Sequence, residues 1–262
     1  MQLGIKGQVV VYTGAAGLIG SAGTKALARE GASLALVDID TIRLAALIAD
    51  IATTYPHAKI MGINDLDALS TESIDGMLDC IESELGPVTC LINSAYPRTE
   101  DWHLKFEDIP FASWQQNVDM QLNGTILMCQ RVAIRMIQRH HGNVINFGSI
   151  YGLVGPDFSV YEGLGGMTMP AAYAAIKGGV SNFTRYLASY LGPHGIRVNT
   201  LCPGGVKDHQ PEAFVAAYEG KVPMRRMASV EDIIGPLLFL VSDWSNYVTG
   251  MNLAADGGWT AI

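Results

Sequence analysis

Short β-rich apolar runs alternate with longer stretches of helical periodicity along the whole chain, and this alternation restricts the fold more than any single motif does. Strands that pair in parallel need a crossover of about a dozen residues or more, and the usual crossover is a helix. The runs at 9–12, 33–37, 59–63, 89–93, 143–147, 197–201 and 252–255 read as strands, apolar enough for burial on both faces. Between them, residues 18–30, 41–55, 70–85, 113–140, 171–191 and 229–242 carry apolar residues at helical spacing, and Gly31, Gly86 and Gly142 read as helix stops. The expectation is an α/β fold: a doubly wound parallel sheet of about seven strands, with helices on both faces, in one domain over residues 1–262. Two stretches, 152–170 and 203–228, follow neither pattern. Each comes after the carboxyl end of a strand, the edge where open α/β sheets bind ligands, and both are expected to serve a substrate.

Charge and composition remove several function classes. A net charge of −8 without any Lys/Arg block argues against binding to a phosphate backbone, so nucleic acid is not an expected partner. No uninterrupted apolar run, residues 236–241 among them, approaches the roughly 18 residues of a membrane span, and no charged-then-apolar leader opens the chain. Neither a membrane partner nor export is expected. Cys80, Cys90, Cys129 and Cys202 are widely separated and form no CxxC pair, which points to reduced core thiols and a cytoplasmic location. His103, His140, His141, His194 and His209 make no cluster at ligand spacing, and no metal site is expected.

The first strand runs into TGAAGLIG (13–20) and then directly into a helix. Glycines at such a junction let backbone N–H groups and a helix N-terminus approach a pyrophosphate. Asp38 closes the second strand, where a carboxylate can accept ribose hydroxyls and repel a 2′-phosphate. No Lys or Arg lies within 37–40, although Arg43 follows closely, so NAD is expected over NADP. The plainer alternatives are a tight turn for the glycines and a helix N-cap for Asp38.

Tyr173 and Lys177 stand four residues apart in an expected helix, which puts phenol and ammonium on one face. A phenol of pKa about 10 needs a shift of about 3 units to act as a base near neutrality, or about 4 kcal/mol. One cation at about 4 Å supplies roughly that much at an effective dielectric of 20. Ser149, just past the strand GNVINF, is placed to hydrogen-bond a carbonyl oxygen as charge develops on it. Tyr161 is a weaker second candidate, because Gly165 rather than a lysine lies four residues on.

With INSA (92–95), NFGSIYG (146–152), RVNTLCPGG (197–205) and VTGMNLAADGGW (248–259), these motifs resemble, in order, the short-chain dehydrogenase/reductase family, whose domain is of the Rossmann type. The resemblance implies Tyr173 as general acid/base, Lys177 as its partner that also holds the nicotinamide ribose, and Ser149 as the carbonyl-polarising hydroxyl. Gln121 stands where the family's fourth catalytic residue, an asparagine, would align, with Asn117 and Asn123 out of register. The implied cofactor contacts are Gly14, Gly17, Leu18, Ile19, Gly20, Asp38, Ile39, Asp65, Leu66, Asn93, Ala95, Tyr173, Lys177, Pro203, Gly204 and Val206.

Several positions depart from the family pattern. The middle glycine falls at Gly17, giving the TGxxGxxG spacing of the extended branch that includes sugar-nucleotide epimerases. Tyr96 replaces a glycine, Asp208 replaces a threonine, and the interval from Ser149 to Tyr173 is long, with Tyr151, Asp157, Tyr161 and Glu162 in it. AYPR (95–98), that long loop and PGGVKDHQPEAF (203–214) resemble oxidoreductases of flagellin-glycan and nonulosonic-acid sugar pathways. The leading expectation is an NAD-dependent oxidoreductase interconverting a secondary alcohol and a ketone, on a sugar phosphate, a sugar nucleotide or another small molecule. The alternatives are an NAD-dependent epimerase or dehydratase and a noncatalytic dinucleotide sensor. The family implies a homo-oligomer, dimer or tetramer.

Overall fold

The computed structural model describes residues 3–262. Seven strands form one parallel sheet: β1 (Val9–Thr13), β2 (Ser33–Val37), β3 (Ile60–Ile63), β4 (Cys90–Asn93), β5 (Gly142–Phe147), β6 (Ile196–Pro203) and β7 (Asn252–Ala255). Their order across the sheet is β3-β2-β1-β4-β5-β6-β7, and every neighbouring pair is parallel. The order reverses direction between β1 and β4, and such a switch point opens a crevice at the carboxyl ends of the strands.

Helices α1 (Leu18–Arg29), α2 (Thr41–Thr54), α3 (Thr71–Glu84), α4 (Phe111–Val118), α5 (Gly124–Arg139), α6 (Ala171–Leu191), α7 (Glu212–Lys221) and α8 (Glu231–Val241) cover both faces. Strand alternation sorts the core into two layers. Val10, Tyr12, Leu34 and Leu36 pack with Leu27, Ile51 and Leu237 from α1, α2 and α8. Val9, Val11, Val144 and Val198 pack on the other face with Ile74, Leu78, Val132 and Met136 from α3 and α5. Fully burying side chains of this size contributes about 1.5–3 kcal/mol each.

Four details differ from the reading by periodicity. The helix expected over 113–140 is broken by a π-helical turn, Asp119–Asn123, where the Gly124 N–H reaches back five residues to the Asp119 carbonyl. The Thr125 hydroxyl also donates to the Gln121 carbonyl at 2.7 Å, which supports the widened turn. Gly142 does not stop α5: His140 does, in the left-handed conformation with φ 53°. Gly142 instead opens β5, at a point where a side chain would collide with Met136. The stretch 203–228 contains α7, which its weak amphipathicity hid. Finally, Cys90, Cys129 and Cys202 are buried as expected, but Cys80 is exposed on α3.

The two long stretches pack on each other as a third apolar cluster above the strand ends. Ile150, Tyr151 and Val160 meet Phe214, Tyr218, Val222, Met227 and Trp259. Tyr218 stacks on Trp259 with centroids 4.5 Å apart, and its phenol accepts the Gly205 N–H at 2.6 Å. Lys221 on α7 pairs with Asp157 at 2.9 Å, joining the helix to the loop.

Candidate active site

At the amino-terminal half of the sheet, β1 passes into α1 through Gly14, whose φ is +69°. A Cβ at Gly14 would lie 2.8 Å from the Ala95 Cα, and one at Gly20 would collide with the Gly14 carbonyl. Both positions therefore demand glycine. Gly17 is the N-cap of α1 and supplies no side-chain cap, leaving first-turn N–H groups, those of Leu18 and Ile19 among them, without a capping side chain. A Cβ there would sit 3.3 Å from the Gly14 carbonyl, so this glycine is the least constrained of the three.

The Asp38 carboxylate accepts the Ala16 N–H at 2.8 Å and the Asp40 N–H at 3.0 Å. It is not the cap of α2. That role belongs to Asp40, which accepts from the Arg43 N–H and also pairs with the Arg43 side chain at 2.6 Å. Ile39 beside it is 81% exposed, offering an apolar surface at the cleft. Past β3, Asp65 is exposed and Leu66 half-buried against the core.

Thr13 closes β1 and fixes the neighbouring strand end, its hydroxyl accepting the Ser94 and Ala95 N–H groups at 3.1 and 3.2 Å. The Asn93 side chain turns inward, donating to Asn146 at 2.9 Å. That bond starts a buried chain through Thr184 to Thr200, with separations of 3.0 and 2.8 Å. Pro203 ends β6, the Gly204 N–H donates to Ala255 at 3.0 Å, and Val206 bridges to Ala228. Asp208 is exposed and faces His209 at 3.4 Å. The residues fit a dinucleotide: two glycines whose Cβ atoms would fill the cradle, an uncapped helix end, and a carboxylate at the end of β2.

At the other half of the site, α6 carries Tyr173 in its first turn and Lys177 one turn later. Two glycines bring α6 this close: a Cβ at Gly152 would be 2.6 Å from the Lys177 carbonyl, and one at Gly179 would be 3.1 Å from Leu122 on the π turn. Ser149 follows β5 and is buried. Its hydroxyl accepts the Tyr151 N–H at 3.2 Å and draws the Tyr173 pKa down. Contrary to the lowering expected from Lys177, burial acts more strongly and holds the Tyr173 phenol above its ordinary value.

Lys177 is buried, its pKa pushed down to about 8 by loss of water, and it donates to the Phe147 carbonyl at 2.7 Å. Its Nζ is 5.6 Å from the Tyr173 ring centre. Gln121 is buried in the π turn, and neither atom of its amide has a hydrogen-bond partner among the described residues. Such orphaned pairs are rare, and π turns recur at functional sites.

Sequence reading overlooked part of this wall. The Tyr96 ring meets the Tyr173 ring edge to face with centroids 5.5 Å apart, and Trp102 meets Tyr173 at 6.3 Å. The Trp102 indole donates to the Tyr96 phenol at 2.7 Å. The one available signal was the tyrosine standing in place of a glycine after INSA. In the long loop, Tyr151, Tyr161 and Asp157 are engaged within the protein, through a 3.4 Å contact between the two phenols and through Lys221. Glu162 is left exposed.

Comparison with known proteins identifies the family. Residues 14–260 match the family model described as enoyl-(acyl carrier protein) reductase. The chain is 30% identical over 256 residues to post-translational flagellin modification protein A of Campylobacter coli, covering 97% of this chain and 99% of that one. It is 33% identical over 269 residues to 2-(S)-hydroxypropyl-CoM dehydrogenase 3 of Xanthobacter autotrophicus, covering 98% of each. The crystal structure of a short chain dehydrogenase from Leptospira borgpetersenii with bound NAD+ superposes with a TM-score of 0.84 at 32% identity, covering 97% of this chain and 93% of that one. A seven-stranded sheet in this order, with its glycine cradle and these relatives, makes the chain a member of the short-chain dehydrogenase/reductase family, an oxidoreductase that works with a nicotinamide dinucleotide.

Proposed function

We propose that the protein interconverts a secondary alcohol and a ketone, using NAD in preference to NADP, with Tyr173 as the group that transfers the proton. The observation that carries this reading is the meeting of Ser149, Tyr173 and Lys177 at one point beside the glycine cradle. When bound, the nicotinamide supplies the hydride acceptor or donor.

The protein's own groups handle the oxygen. Tyr173 gives its hydroxyl proton to the carbonyl oxygen in reduction and, as the phenolate, takes the proton of the alcohol in oxidation. The Ser149 hydroxyl hydrogen-bonds the same oxygen as charge builds on it. Lys177, held by Phe147, supplies positive charge below the phenol and would be the residue that holds a ribose hydroxyl of the dinucleotide. Tyr96 and Trp102 press on the Tyr173 ring, limiting its rotation and excluding water from it.

The preference for NAD rests on Asp38. Its carboxylate is fixed at the cradle by two N–H groups, where a 2′-phosphate would meet a like charge. Arg43, the nearest cation in the sequence, is engaged by Asp40. The resemblance to oxidoreductases of flagellin-glycan sugar pathways favours a hydroxyl-rich, sugar-like substrate. The proposed assembly is a homo-oligomer.

The test follows nicotinamide absorbance with NAD or NADP against a panel of sugar phosphates, sugar nucleotides, polyols and hydroxy acids, for wild type and Tyr173→Phe. Reduction of NAD that falls at least about a hundredfold in the Phe variant is expected. Near-normal turnover by that variant would overturn the reading.

A further inference from the structure

Arg98 takes no part in the proton transfer at Tyr173. It is exposed, and its guanidinium lies 5.2 Å from the centre of the Tyr96 ring. Tyr96 in turn lies 5.5 Å from Tyr173, so the Arg98 guanidinium carbon is within about 11 Å of the Tyr173 ring centre, the sum of the two separations. Arg43, Arg131, Arg135, Arg139 and Arg226 all pair with carboxylates at 3.2 Å or less. Arg98, like Arg185, Arg197 and Arg225, pairs with no carboxylate among the described residues; of these four it is the one that engages the Tyr96 side chain, and through it stands beside Tyr173.

The segment that carries Arg98 is held in place. The Thr99 N–H donates to the Asn117 amide oxygen at 3.2 Å, and the Asn117 amide nitrogen donates to the Thr99 hydroxyl at 2.7 Å. Ser113 joins the same network, donating to Asp101 at 2.6 Å. Asn117 is 2% exposed, so this anchor on α4 is part of the core. Trp102 then locks Tyr96 by the 2.7 Å bond to its phenol. A guanidinium laid over a ring on a rigid segment is oriented before a ligand arrives, which reduces the entropy lost on binding.

We propose that Arg98 is the anion-binding residue of the substrate pocket, and that the alcohol or ketone carries a carboxylate, phosphate or sulfonate a few bonds from its reacting carbon. The planar fork of Arg98 grips two oxygens of that group while the chain between lies along Tyr96 and Trp102. This assignment rests on the dehydrogenase reading above, and it deepens that reading by naming a charged class of substrate.

The experiment compares 3-hydroxybutanoate and 5-hydroxyhexanoate with their uncharged primary amides, and adds 2-hydroxypropyl phosphate and 2-hydroxypropanesulfonate to separate the anion types. Affinity for the enzyme–NAD complex is measured by calorimetry, and kcat/KM by nicotinamide absorbance. At least one acid is expected to exceed its amide tenfold or more. In Arg98→Ala that ratio falls below twofold, and in Arg98→Lys it is partly kept. In Lys105→Ala, an exposed cation lining a neighbouring groove, it stays at the wild-type value. Equal treatment of acid and amide by wild type overturns the proposal. So does failure of every anion to bind, or an Arg98→Ala variant that loses affinity for NAD alone, which would place Arg98 on the cofactor phosphates. Because calorimetry needs no turnover, the Arg98 result stands apart from the Tyr173→Phe result that judges the dehydrogenase reading.

Discussion

Lys177 sits under Tyr173 with its Nζ 5.6 Å from the ring centre, and it donates that Nζ to the Phe147 carbonyl instead of to the phenol. The arrangement fixes the charge without neutralising it by a carboxylate. Burial raises the Tyr173 pKa above its ordinary value, so the phenol is protonated across the neutral range. Ketone reduction, which uses the protonated phenol, is expected to hold at neutral pH and fall as the phenol titrates. Alcohol oxidation, which uses the phenolate, rises with pH. With its own pKa pushed down to about 8, Lys177 carries charge only below that pH, so Lys177→Met is expected to depress oxidation most at pH 6–8 and to approach wild type as the pH rises. Rate profiles from pH 6 to 11 check this, and an equal loss at every pH would count against Lys177 as the charge behind Tyr173.

The glycine cradle makes an ordered prediction. Gly20→Ala forces a Cβ into the Gly14 carbonyl and should abolish measurable NAD binding while destabilising the fold by more than about 1 kcal/mol. Gly17→Ala meets the same carbonyl at 3.3 Å, at a backbone φ of −72°, and should weaken binding less than tenfold. Calorimetry with NAD and thermal melts rank the two, and the reverse order would contradict the structure.

Asp38→Ala removes the carboxylate that holds the Ala16 N–H and guards the ribose site. The ratio of kcat/KM for NAD to that for NADP is expected to drop at least tenfold, a change of about 1.4 kcal/mol. Asp40→Ala, which frees Arg43, is expected to improve NADP use in addition.

Gln121 separates stability from activity. A buried amide with no partner costs about 1–3 kcal/mol, so the similarly sized Gln121→Leu should melt at the same temperature or higher. If the amide joins the proton path at Tyr173, turnover drops in the same variant and returns at least partly in Gln121→Asn. Melts and steady-state kinetics on both variants decide it. Full activity in Gln121→Leu would leave the amide without a catalytic part.

Much of the architecture was legible because strands buried on both faces and helices with one apolar face write different periods into the chain. The helix at 171–191 and the strands at 33–37 and 252–255 match the structure to the residue. What periodicity missed was local. Nothing in WQQNVDMQLNG announces a π turn, since one extra residue per turn changes no residue type. The helix Glu212–Lys221 is short and weakly amphipathic, and its packing comes from distant partners: Phe214 meets Tyr161 and Tyr218 stacks on Trp259.

By itself, the sequence determined the layered α/β fold, the glycine turn followed by Asp38, and the pairing of Tyr173 with Lys177, because each depends on spacing within one element or across one turn. The tertiary structure alone decided what those residues face. It seated Asp38 on the Ala16 N–H and Lys177 on the Phe147 carbonyl, and it turned Asn93 toward Asn146. It also brought Tyr96, Arg98 and Trp102 up to Tyr173 across more than 70 residues of chain. Contacts of that kind follow from how strand ends meet at the crevice of a parallel sheet, and no local pattern encodes them.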